Sequence, residues 1–274
     1  MQLASINDIE TRHRHIFLSP HYDDAVYACG GTLGVQVSSG LRPLVVTIFG
    51  GKPGNDLKLS PFAEQVHISN GAAIAEGPDA LIETRRKEDA AALDYLQCDY
   101  LWLDYKDALY RGTPANNPYY TNRDALIGGE VHPGDQAIDQ DLANTLLSLR
   151  QRLPDAVWYA PLGIGRHVDH QIVSSASDRL VQDGAKVYFY EDFPYVTLQG
   201  AREARLKELG NAFEPTLVEI SELLSARQEA AEMYGSQIVA NFGNREALLK
   251  AIDSYSQSIR PVETIRLERY WLAR

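Results

Sequence analysis

Ile16-Phe17-Leu18-Ser19-Pro20-His21-Tyr22-Asp23-Asp24 runs from an apolar, strand-like segment straight into a histidine and two aspartates. A second stretch repeats the arrangement downstream, where Ala156-Val157-Trp158-Tyr159-Ala160 leads towards His167-Val168-Asp169-His170. In open α/β sheets the loops at the carboxyl ends of parallel strands converge on one crevice. Clusters delivered from two such strand ends can meet in space, however far apart they lie in the chain.

The rest of the chain supports that reading. Apolar runs predict strands near 15–19, 43–49, 99–103, 156–160 and 186–190. Helix-period segments fall near 24–38, 80–97, 136–152, 169–183, 221–233 and 244–257. Alternation of this kind predicts an α/β fold with a mostly parallel sheet. Residues 263–272 alternate polar with apolar and predict a late, half-exposed strand. Two long irregular stretches, 50–79 and 106–135, are expected to wall the crevice if both leave carboxyl strand ends. No linker or internal repeat divides the 274 residues, so one domain with long active-site loops is expected.

Composition narrows the function classes. A net charge of -11 with no strongly basic stretch argues against nucleic acid as a partner. No apolar run reaches the ~20 residues of a membrane span, so no transmembrane segment is expected. The opening residues lack the basic and apolar regions of a secretory signal, and a cytoplasmic protein is the default expectation. Cys29 and Cys98 suggest neither a disulfide framework nor a zinc pair.

The two clusters carry the chemistry. His21 and Asp24 stand three apart at a strand-to-helix turn, and His167 and His170 stand three apart on one helical face. Catalytic zinc commonly takes three protein ligands and leaves a position for water. Two histidines and one carboxylate meet that count and leave a histidine and an aspartate for proton chemistry. The plainer reading makes Asp23 or Asp24 a helix cap and the histidine pair coincidental. The joint occurrence of both clusters after predicted strands, with Gly30-Gly31, Gly163 and Gly165 nearby, favours a metal.

At these residues the chain resembles the PIG-L/LmbE-like family of zinc-dependent N-deacetylases. Its first motif, His-Pro-Asp-Asp followed by a glycine pair, is matched by His21-Tyr22-Asp23-Asp24 and Gly30-Gly31, and its second, His-Pro-Asp-His, by His167-Val168-Asp169-His170. Residues 15–200 carry the resemblance, which thins beyond them. It implies a Rossmann-like α/β domain and a metal held by His21, Asp24 and His170, with Zn2+ expected and other divalent metals tolerated. It makes Asp23 the general base, His167 the oxyanion stabiliser or general acid, and Asp169 the residue that orients His167. Arg85 and Asp107 match sugar-contacting positions. Tyr22 and Val168 replace both motif prolines, and Gly165 stands where some relatives carry a tyrosine.

The implied reaction removes an N-acyl group, N-acetyl above all, from a small-molecule amino sugar or glycoconjugate. Tyr110, Arg111, Asn116, Asn117, Tyr119 and Tyr120 are candidates to bind the sugar, and Glu191 and Asp192 to reach its hydroxyls or the histidines. A second copy of the chain stays open as a partner. The rival is a sugar- or nucleotide-binding α/β protein with a vestigial metal site. A dinucleotide enzyme is disfavoured, because no Gly-x-Gly-x-x-Gly turn follows the first strand.

Overall fold

The computed structural model describes residues 1–72, 76–113, 115–210 and 213–273, so parts of both predicted loops, at 73–75 and Pro114, lie outside the described residues. The chain runs β1 (His15–Ser19), α1 (Asp24–Ser38), β2 (Leu44–Thr47), α2 (Pro61–Ser69), α3 (Asp79–Tyr95) and β3 (Asp99–Trp102). A small hairpin, β4 (Gly112–Thr113) and β5 (Asn117–Pro118), precedes α4 (Arg123–Leu126), α5 (Gln136–Arg152), β6 (Val157–Pro161), α6 (Val168–Gln182) and β7 (Lys186–Tyr190). The remainder is α7 (Ala201–Leu209), β8 (Phe213–Glu219), α8 (Leu224–Glu232), α9 (Gly235–Phe242), α10 (Arg245–Ser258) and β9 (Leu267–Ala273).

Seven strands form one sheet in the order β3-β2-β1-β6-β7-β9-β8. The first five are parallel, and β9 lies antiparallel between β7 and β8. β2 is buried along its whole length, as a parallel strand covered on both faces must be. From β1 the chain moves outward to β3 and then returns to β6 on the other side of β1. The order therefore reverses between β1 and β6, the switch point at which such sheets bind ligands. Those two strands deliver residues 21–24 and 167–170.

The five parallel strands fall where the apolar runs predict them. Elsewhere the structure differs from the expectation. The stretch 50–79 is not wholly irregular, because Ser60 caps α2 by accepting the Ala63 N–H and Pro61 opens it. The predicted helix over 221–233 begins as a 3-10 turn at Ser221–Leu223 and becomes α-helical at Leu224. The last strand begins at Leu267 rather than 263, and its partner β8 has no strong sequence signal. β8 carries Pro215 and is partly exposed, both properties of an edge strand.

α1 passes through the core although it contains Gly30 and Gly31. A Cβ at Gly31 would fall 2.7 Å from Ile220, so only glycine admits that contact. Glu268 on β9 accepts the Gly31 and Thr32 N–H groups at 2.8 and 2.9 Å. Arg227 on α8 donates to the Tyr27 carbonyl and lies 3.3 Å from Glu268. A buried ion pair thus clamps the helix whose first turn carries Asp24. Among the described residues no helix is long and apolar enough to cross a membrane.

Candidate functional site

The turn after β1 is fastened by side chains. Ser19 Oγ donates to the His21 carbonyl at 2.5 Å and accepts the Ala25 N–H at 2.9 Å. Tyr22 replaces the ring constraint of a proline with anchorage: its hydroxyl donates to the Gly50 carbonyl at 2.8 Å and accepts from Arg86 Nε at 3.2 Å. Asp23 sits at the N-cap of α1, but its side chain makes no capping hydrogen bond, so the plainer reading fails there. Asp24 Oδ2 accepts the His21 N–H at 2.7 Å.

The turn after β6 is unusually wound. Gly163 and Gly165 have φ of 83° and 85°, and Arg166, with a side chain, still has φ of 55°. A Cβ at Gly165 would fall 2.5 Å from the Tyr195 ring, which explains the missing side chain at that position. Asp192 ties the turn down by accepting the Gly163 and Ile164 N–H groups on Oδ2, both at 2.8 Å. His167 then caps α6, its Nδ1 accepting the Asp169 N–H at 3.2 Å.

Asp24 Oδ2 lies 3.3 Å from His21 Nδ1 and 3.3 Å from His170 Nε2. Ligand atoms held at 2.0–2.1 Å around a tetrahedral zinc are separated by about 3.3 Å. The opposite ring nitrogens are arranged as such a site requires. His21 Nε2 lies 2.9 Å from Asp169 Oδ2, and His170 Nδ1 lies 2.7 Å from Asp192 Oδ1. A carboxylate behind each imidazole puts the proton on the far nitrogen and leaves the near one free for a metal. These residues fit a divalent cation held by His21, Asp24 and His170. A different set of three, His21, His167 and His170, keeps its ligand atoms within 4.8 Å of one another. A second group, His21 with Asp107 and Asp169, lies on the far side of the His21 ring, and there Asp169 is already bonded to Arg111 at 2.6 Å and the Ala108 N–H at 3.1 Å.

Electrostatics points the same way. Burial opposes charge on His21, yet the hydrogen-bonded Asp169 and Asp24 raise its pKa to about 9. Burial likewise opposes His170, and Asp24 and Asp192 raise it well above the ordinary imidazole value. A pocket that would hold two protons against burial is suited to a divalent cation on the same grounds. Burial keeps the His167 pKa well below its usual value, reinforced by His21 and His170, so that ring stays neutral. With Nδ1 accepting, its proton resides on Nε2. Burial pushes the Asp23 carboxyl up against the opposing pull of Arg85.

The predicted site residues divide into three groups. His21, Asp23, Asp24, Arg85, Asp107, His167 and His170 line one cavity of about 370 Å³. Asp169 is not in its lining, and its role changes: its carboxylate faces His21 and Arg111, and only its backbone touches His167. It positions His21, not His167. Arg85 lines the cavity, but its Nη2 donates to Asp23 at 2.8 Å, so its partner in the structure is that carboxylate. The loop tyrosines are elsewhere. Tyr110 bonds to His67, Tyr120 to Asp135, and Tyr119 stacks on His132, all outside the lining. Both long loops do wall the crevice, through Phe62, Gln65 and Val66 of the first and Leu109, Arg123, Leu126 and Ile127 of the second.

Arg111, a sugar-binding candidate from the sequence, lies outside the lining and instead holds Asp169, while the α9 residues Gln237, Ala240 and Asn241, which the sequence reasoning missed, form part of the wall. The run Tyr234-Gly235-Ser236-Gln237 was the available signal for α9. Asp192 is found as expected behind a histidine, whereas Glu191 binds Arg269 at 2.7 Å in the sheet.

A carboxylate 3.3 Å from two histidine nitrogens, with a second carboxylate and a neutral histidine beside them at a switch point, fits a metal-assisted hydrolase built on an α/β sheet. The model of the family described as PIG-L: GlcNAc-PI de-N-acetylase matches residues 16–181, and the chain belongs to that family. It is an N-deacetylase. Among its relatives, 2'-N-acetylparomamine deacetylase of Niallia circulans is 29% identical over 192 residues, which is 68% of this chain and 69% of the relative. The enzyme of the same name from Streptomyces fradiae is 28% identical over 237 residues, covering 82% and 74%. The zinc-inhibited form of teicoplanin deacetylase Orf2 superposes with a TM-score of 0.81 at 26% identity, over 95% of this chain and 98% of that one. The structural likeness thus extends past residue 200, where the sequence resemblance thins.

Proposed function

We propose that the resident metal is zinc, held by His21, Asp24 and His170, and that the enzyme hydrolyses the N-acetyl group of an amino sugar or a glycoconjugate. The observation that carries the reading is the pairing of each metal-facing imidazole with a carboxylate on its far nitrogen. The named substrates of the relatives, N-acetylparomamine and teicoplanin, support the amino-sugar class.

Bound zinc would supply a Lewis acid and a water acidic enough to attack at neutral pH. Asp23 takes the proton of the attacking water, and its raised pKa suits it to that role. Arg85 holds the Asp23 carboxylate in place. His167 donates its Nε2–H to the oxyanion that develops on the acyl oxygen, as a neutral imidazole can. The carbon–nitrogen bond then breaks, and Asp23 returns the proton to the departing amine. Asp107 faces the cavity beside His21 and is placed to meet a hydroxyl of the sugar. Cys29 and Cys98 are buried free thiols, which supports a cytoplasmic setting.

A relic metal site in a binding protein would gain nothing from keeping the base, its arginine and both backing carboxylates. Amine release from N-acetylated glucosaminides, followed with and without a chelator, tests the proposal. Turnover is expected only with metal present, and its persistence after complete metal removal would refute the mechanism.

A further inference from the structure

The cavity wall beyond the metal bears on which amino sugars enter, an inference that rests on the deacetylase reading. Three carboxylates line the cavity, and all three are buried, at what we call its floor. Asp23 is paired with Arg85, Asp24 lies between His21 and His170, and Asp107 accepts the Leu109 N–H at 2.9 Å and lies 3.5 Å from His21. Above the floor the described lining contains no acid. It is built from apolar side chains, among them Phe62, Val66, Leu109, Leu126 and Ile127, and from uncharged amides such as Gln65 and Asn241.

Its one charged residue is Arg123, at the start of α4. Arg123 is exposed and makes no ion pair among the described residues. In a chain with 37 acidic against 26 basic residues, a wall with one arginine and no carboxylate runs against the composition. A protonated amine on the substrate would find no counter-charge there and would face Arg123, with the metal beneath. An apolar ring would find a matching surface, and a carboxylate a partner.

We infer that the enzyme selects N-acyl amino sugars whose aglycone is apolar and uncharged or anionic, and rejects polycationic aminocyclitol conjugates such as N-acetylparomamine, with Arg123 setting the charge preference. The test compares kcat/KM of the metal-loaded enzyme on three N-acetylglucosaminides. Their aglycones are a neutral aryl group, the same group bearing a carboxylate, and an aminocyclitol with free amines. Both aryl substrates should exceed the aminocyclitol one by about ten-fold or more. Arg123→Ala should lower the ratio of carboxylate to neutral substrate about three-fold, the size of an exposed ion pair. Arg123→Glu should invert that ratio and raise turnover of the amine. An aminocyclitol conjugate processed as well as the aryl compounds, or a carboxylate-to-neutral ratio unmoved by both variants, would overturn the inference and leave the deacetylase reading standing. Turnover of none of the three would refute both.

Discussion

α1 meets buried charge twice, at its first turn and near its middle, and the two places behave differently. At the first turn Asp23 and Asp24 face histidines across an open cavity, with ring nitrogens and a carboxylate oxygen directed at one point. Near the middle, Glu268 and Arg227 satisfy each other, two backbone N–H groups and the Tyr27 carbonyl in a sealed core. Both sites concentrate charge in the interior. Only one leaves lone pairs with access to the cavity. Density of buried charge therefore does not mark a functional site; uncommitted donors facing a void do.

Substitutions can break that contrast, beginning with the strongest. Asp24→Ala should abolish metal binding and reduce turnover to background while the thermal unfolding midpoint of the metal-free protein stays near that of the metal-free parent. Asp23→Asn should lower kcat by about 10²–10⁴ with metal content unchanged, which elemental analysis and initial rates together would show. At the sealed site, Arg227→Met should cost about 3–5 kcal/mol of stability in denaturant unfolding, because Glu268 is left buried without its counter-charge. Adding Glu268→Gln to that variant should cost less than the two single changes summed, and turnover per folded molecule should persist.

Smaller effects sharpen the picture. Asp169→Asn should weaken metal affinity about 10–100-fold without removing a ligand, read by titration against a competing chelator. Asp99 serves as a third case, buried, far from the cavity and bonded to Arg42 at 2.8 Å and His13 at 3.1 Å. Burial pushes its carboxyl up, but Arg42, the Met1 amino group 3.1 Å away and His13 pull harder and hold the folded pKa below the ordinary value. The stability it contributes is therefore present above about pH 4 and lost as the pH falls through the folded pKa. The difference in unfolding midpoint between the parent and Asp99→Asn should be constant near neutrality and shrink in acid.

How much of this was legible in the sequence follows from how each signal arises. Parallel strands buried on both faces leave unbroken apolar runs, so β1, β2, β3, β6 and β7 could be read directly. The candidate metal residues were legible because their spacing within each cluster is local. The role of Arg111 was not, since it comes from contact with Asp169 and Asp135, brought to it by the fold. The tyrosines at 110, 119 and 120 misled because a loop's composition does not say which side chains turn inward to pack. β8 was missed because an edge strand with a proline lacks the alternation of a half-buried one.

The central claim is the location of the ion, and an anomalous-difference map recorded at the zinc absorption edge on crystals of the metal-loaded protein tests it most directly. One peak is expected within about 2.0–2.1 Å of His21 Nδ1, Asp24 Oδ2 and His170 Nε2. A peak at the Asp107–Asp169 face of His21, or an ion bound through His167 with Asp24 unengaged, would contradict it.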